Sequence, residues 1–111
     1  SVEGEVVDSR IEGRVTVGKG TKIVNSVVRG PTIIGENSHI EKSHITPYTS
    51  IGNRVKILNS SVEYSIIMDD AVIEGVDKVE ESLIGRNAKI IKSEERKHHR
   101  FHIANHSEVI L

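Results

Sequence analysis

Aliphatic residues recur along the chain at a fixed long interval. Val17, Ile34 and Ile51 stand 17 residues apart, Ile67 follows after 16, and Ile84 after another 17. A second ladder runs Val6, Ile23, Ile40, Ile57, Ile73 and Ile90, and a third runs Ile11, Val28, Ile45, Val62 and Val79. Each unit of 17 residues holds three aliphatic positions, spaced six, five and six. Four residues after a ladder member comes something small or β-branched. After the first ladder these are Thr21, Ser38, Val55, Ala71 and Ala88; after the third, Val15, Thr32 and Thr49. Serine keeps the same beat at Ser9, Ser26, Ser43 and Ser60, and again at Ser93. A helix would need apolar positions at i, i+3, i+4 and i+7, and plain strand alternation would not return at six. A period of this length marks a stacked repeat.

The pattern predicts three short strands per coil, with successive coils stacked as parallel β-structure about 4.8 Å apart. The aliphatics fill a narrow prism and the small residues sit at its corners. The expected fold is all-β: a single-stranded parallel β-helix of hexapeptide repeats, about five and a half coils from Val6 to Ser93. Gly18, Gly35, Gly52 and Gly85, with Asn25, Asn53, Asn59 and Asn87, are expected at bends of positive φ. Pro31 and Pro47 fall between ladder positions, where no strand amide is lost. Residues 1–93 form the expected solenoid. Residues 94–111, opening with the charged run Glu94 to Arg100, are expected as a polar cap or tail over an unpaired coil edge. Nothing in Ser1 to Glu5 has the character of a cap, so the sequence reads as part of a longer protein.

Composition supports the prism. Val and Ile make up 30 of the 33 large aliphatics, which suits a pleated surface and crowds a helix. Tyr48, Tyr64 and Phe101 are the only aromatics, as a narrow core requires. The formal charge of −1 supplies no field to recruit nucleic acid or an acidic membrane. No apolar run approaches the roughly 18 residues of a spanning helix. There is no cysteine, hence no disulfide framework, and a cytoplasmic location is expected.

Four blocks carry a family resemblance: Val28 to Gly35 (VRGPTIIG), Ile45 to Gly52 (ITPYTSIG), Val62 to Ile67 (VEYSII) and Glu81 to Arg86 (ESLIGR). They resemble the C-terminal domain of long-form glucose-1-phosphate thymidylyltransferases, within the hexapeptide-repeat superfamily. Thr46 departs from the glycine usual before Pro-Tyr, and Ala104 to Ser107 departs from the usual Gly-Asp-x-Ser. The resemblance implies a left-handed β-helix. It also implies a role in oligomerisation or assembly, with trimers the common state and the N-terminal catalytic domain of the same protein as a second partner. Nucleotidyl transfer in that family takes place in the N-terminal domain, on a Gly-rich loop with Mg²⁺ held by acidic residues. This chain carries no such loop. It is therefore expected to be non-catalytic itself and to bind no cofactor. The alternative is a hexapeptide-repeat acyltransferase domain, using acetyl-CoA on an amino-sugar phosphate with a histidine base among His98 to His106.

Other candidate chemistry is weaker. His39 and His44 have the spacing of two zinc histidines in hexapeptide-repeat carbonic anhydrases, but Lys22 and Val27 hold the matching places one coil earlier. They are read as surface histidines. His98, His99, His102 and His106 lack a carboxylate or cysteine at ligand spacing, so no metal is expected. Asp69-Asp70 is read as a turn in the coil that is one residue short. The candidate interface is apolar. After each second-ladder member the chain reads Val7, Val24, Glu41, Leu58, Glu74 and Ile91, where a free solenoid should be polar. Ile33, Ile66 and Leu83 repeat the theme and are expected at a corner.

Overall fold

The computed structural model describes residues 1–92 and the strand Glu108–Ile110. The strands are at most three residues long and form three parallel sheets, the faces of a prism. The first face holds β1 (Glu5–Val7), β4 (Lys22–Val24), β7 (His39–Glu41), β10 (Lys56–Leu58), β13 (Val72–Glu74), β16 (Lys89–Ile91) and β17 (Glu108–Ile110). The second holds β2 (Arg10–Glu12), β5 (Val27–Arg29), β8 (His44–Thr46), β11 (Ser61–Glu63) and β14 (Val79–Glu80). The third holds β3 (Val15–Val17), β6 (Thr32–Ile34), β9 (Thr49–Ile51), β12 (Ile66–Ile67) and β15 (Leu83–Ile84). Five complete coils result, with β16 opening a sixth and β17 pairing alongside it. No helix occurs among the described residues.

Register turns each sequence ladder into a column. Val6, Ile23, Ile40, Ile57, Ile73 and Ile90 lie opposite one another down the first face. Ile23, Ile40, Ile45, Ile57 and Ile73 are completely buried, while Val6 and Ile11 in the first coil and Ile84 in the fifth are partly covered. Each buried isoleucine contributes about 2–3 kcal/mol through surface taken from water. The faces differ in depth. A strand of the first or second face turns one residue inward, as in Lys22–Ile23–Val24. A strand of the third turns two inward, as Thr32 and Ile34 do around an exposed Ile33.

Small polar residues close the corners by bonding along the stack. The amide of Ser26 donates to Ser9 Oγ at 3.0 Å, that of Ser43 to Ser26 Oγ at 3.0 Å, and that of Ser60 to Ser43 Oγ at 3.2 Å. Thr21 and Ser38 form a second such column, with the Ser38 amide 3.0 Å from Thr21 Oγ1. No buried side-chain polar atom among the described residues lacks a partner. The prism is therefore dry without polar cost.

The bends correct the sequence reading in one respect. Positive φ occurs at Asn25, Asn59 and Asn87 as expected, but Gly18, Gly35, Gly52, Gly85 and Asn53 do not adopt it. Three of those glycines are required by contact instead. A Cβ on Gly18 would lie 2.8 Å from the Gly35 carbonyl carbon, one on Gly35 would lie 2.7 Å from the Gly52 carbonyl oxygen, and one on Gly52 would lie 2.9 Å from the Asp69 amide. Positive φ falls in other columns, including non-glycine residues that enter it at a cost: Lys42, Arg54, Tyr64 and Glu81. Asp69-Asp70 forms the turn read from the sequence, and the residue missing from the 16-residue step lies in the bend before it. Thr46 pairs with Glu63 and Ser50 with Ile66, so the chain takes one step fewer between the second and third faces at Tyr64-Ser65.

At the first coil, Ser1 to Glu3 lies along β3. Val2 bridges Val17, with the Glu3 amide 2.8 Å from the Val17 carbonyl. The charged run Glu94 to Arg100 and the four histidines from His98 to His106 lie outside the described residues.

Candidate functional site

The third face exposes one residue per strand, and register aligns these as Thr16, Ile33, Ser50, Ile66 and Leu83. Ile33, Ile66 and Leu83 are 58%, 53% and 69% exposed. They stand within the face, not at a corner as the sequence suggested, because each occupies the single outward position between two inward ones. Val7, Val24, Leu58 and Ile91 also share a register row, with Glu41 and Glu74 among them. All four are half-buried, since each ends its strand where the chain turns the corner. The stronger apolar surface is therefore the row that ranked second in the sequence.

Beside that row stands an aromatic corner. Tyr48 and Tyr64 are 64% and 60% exposed, with ring centroids 5.8 Å apart and planes at 70°. The shortened step at Tyr64 sets the two tyrosines at neighbouring rungs, although their numbers differ by 16 and not 17. Tyr48, Tyr64, Ser65, Ile66, Glu81 and Ser82 line an open groove of about 450 Å³. Glu63 and Glu80 lie side by side next to it, and Lys78 bridges them at 3.7 and 3.5 Å. Sequence reasoning passed over this corner, for which the spacing of the two tyrosines by about one coil was the available signal.

The paired aspartates serve the stack. Asp69 Oδ1 accepts the Asn53 amide at 2.9 Å, and Asn53 Oδ1 accepts the Glu36 amide at 2.8 Å. Asp70 takes two hydrogen bonds from Arg54, at 2.8 and 3.2 Å. That guanidinium holds the Asp70 carboxyl below the usual carboxylate range, first through the hydrogen bonds and then through its charge. Both carboxylates are thus committed to neighbouring coils.

His39 and His44 lie on different faces, opposite Lys22 and Val27 of the preceding coil. His39 Nε2 meets Glu41 Oε1 at 2.8 Å, and this hydrogen bond is the main cause of a lowered Glu41 pKa. No group of three or more metal-ligating side chains assembles among the described residues. No helix there is long and apolar enough to cross a membrane.

A closed three-faced stack with an apolar row outside is a parallel β-solenoid of hexapeptide type. Its sequence relatives are more particular. The chain is 41% identical over 110 residues to glucose-1-phosphate thymidylyltransferase of Streptomyces antibioticus, covering 97% of this chain and 31% of that protein. It is 38% identical over 104 residues to glucose-1-phosphate thymidylyltransferase of Streptomyces griseus, covering 93% of this chain and 24% of that one. The chain thus spans less than a third of the length of these curated relatives. No family profile matches it. A solved Bacillus cereus structure assigned as an acetyltransferase superposes with a TM-score of 0.44 at 23% identity, covering 80% of this chain and 69% of that one.

Proposed function

We propose that this chain is the non-catalytic assembly domain of a sugar-phosphate nucleotidylyltransferase, the C-terminal left-handed β-helix of a glucose-1-phosphate thymidylyltransferase. The parent reaction is dTTP plus glucose 1-phosphate to dTDP-glucose and pyrophosphate, with Mg²⁺ held in a separate catalytic domain. The exposed row Ile33, Ile66 and Leu83 over a closed core carries the reading. A prism filled by its own side chains has no interior site to offer, so its use lies in its surface and its stiffness. Exposed apolar side chains favour association, and Ile66 and Leu83 are neighbours in this row, with Ser50 between them and Ile33. The partner is a second and third copy of the chain, in a cytoplasmic trimer, with the half-buried row Val7, Val24, Leu58 and Ile91 meeting the catalytic domain.

Sedimentation of the chain tests this. At high micromolar concentration the expected mass is three times the 12.3 kDa of the chain. Ile66→Glu with Leu83→Glu should reduce it to the monomer without loss of β circular dichroism, and Val24→Glu with Leu58→Glu should leave it unchanged. A monomeric wild-type chain would overturn the assembly role. The chain alone should make no dTDP-glucose from dTTP and glucose 1-phosphate. Synthesis that is lost on Asp69→Asn and Asp70→Asn would place the chemistry here and sink the reading.

A further inference from the structure

Tyr48 and Tyr64 are the chain's two tyrosines, and both stand largely in water at one corner. Rings of this size ordinarily serve burial, and the chain has only one other aromatic. The corner is also strained. The first residue after the second face is Gly13, Gly30 and Pro47 in the early coils, then Tyr64 and Glu81. Tyr64 and Glu81 have φ of 52° and 49°, where a bulky L side chain is a genuine outlier. Glycine would hold this bend freely, so the ring and the carboxylate are kept there against a backbone cost.

The groove between them is rich in acceptors. Ser82 Oγ donates its proton to the Glu80 carbonyl at 2.7 Å, and Ser65 Oγ donates to the Glu63 carbonyl at 2.8 Å. Toward a ligand the Ser82 hydroxyl can therefore only accept, and Ser65 Oγ already accepts the Ser82 amide at 3.1 Å. Glu81 makes no ion pair among the described residues, and Lys78 is already shared by Glu63 and Glu80. Aromatic faces add their own negative potential.

We propose that the Tyr48–Tyr64–Glu81 corner binds an organic cation, a guanidinium in preference to an ammonium. A guanidinium can lie flat on one ring while its N–H donors reach the Glu81 carboxylate and the Ser82 hydroxyl. An anion would meet the Glu81 carboxylate, and a neutral apolar group would strip water from it without return.

Tyrosine emission reads this site alone, because the chain has two tyrosines and no tryptophan. Titration with N-acetylarginine amide should change that emission saturably, and tetramethylammonium should bind more weakly. Glucose should leave the emission unchanged. Glu81→Gln should weaken the arginine response about two- to fivefold, the scale of an exposed cation–π and carboxylate contact. Tyr64→Gly, which keeps the bend, should abolish saturation while circular dichroism stays unchanged. No saturable response to N-acetylarginine amide would overturn the proposal. So would equal binding by Glu81→Gln, tighter binding of tetramethylammonium, or a saturable response to glucose.

Discussion

Ser26 and Ser43 are joined through a single oxygen. Ser26 Oγ accepts the Ser43 amide at 3.0 Å while donating to the Val24 carbonyl at 2.8 Å. One hydroxyl thereby satisfies two backbone groups of consecutive coils inside a dry corner. The arrangement repeats at Ser43, which serves the Ser60 amide and the Glu41 carbonyl.

Ser43→Ala should therefore destabilise the chain by about 1–3 kcal/mol, since it leaves a buried amide without a partner. Ser50→Ala, on the exposed row of the third face, should fall within about 0.5 kcal/mol of wild type. Urea midpoints of the two variants decide this, and equal midpoints would contradict the role given to the serine column.

The aliphatic columns predict a steeper response. Ile57 is completely buried, so Ile57→Ala should cost about 2–5 kcal/mol. Ile51→Asp would place an unpaired carboxylate in the prism and should unfold the chain. A soluble Ile51→Asp protein with native circular dichroism would refute the column assignment.

Lys42 has a φ of 50°, in the corner column otherwise filled by Asp8, Asn25, Asn59 and Gly75. Lys42→Asn should stabilise the chain by about 0.5–1 kcal/mol, because asparagine enters this region more readily. An unchanged or lower urea midpoint would count against the strain assigned to that column.

Acid should loosen the corner at Asp70. Its pKa is lowered in the fold by hydrogen bonds from Arg54, then by the charges of Arg54 and Arg86. A depressed carboxylate adds stability above its unfolded value, near about pH 4, and that stability is lost as pH falls through the folded value. Asp70→Asn keeps a side chain tolerant of the φ of 64° and removes the titration. Its stability should fall less than that of wild type between about pH 5 and pH 2. Parallel pH profiles would contradict the pairing.

Much of the solenoid was legible because its inward positions repeat as one chemical type. Ile23, Ile40, Ile57 and Ile73 announce a column without any structure. The corners were less legible, since one position can be met by different means. Gly35 answers a close approach to Gly52, not a need for positive φ, and composition does not separate the two. Lys42, Arg54, Tyr64 and Glu81 adopt positive φ against their own preference, so residue type gave no sign. The aromatic corner was hidden because Tyr48 and Tyr64 meet only after the coil loses a residue between them.

That lost residue has a counterpart. The step from Leu58 to Val62 on the way from the first face to the second becomes the longer step from Glu74 to Val79 one coil later. The following step stays short, from Glu80 to Leu83, as it was from Glu63 to Ile66. Corner length thus changes at two bends while every inward column stays in phase. The conserved quantity of this architecture is the parity within each strand, not the count per coil. A residue deleted inside β9 would turn Ile51 out of the prism, whereas one deleted at a bend merely shortens the path around it.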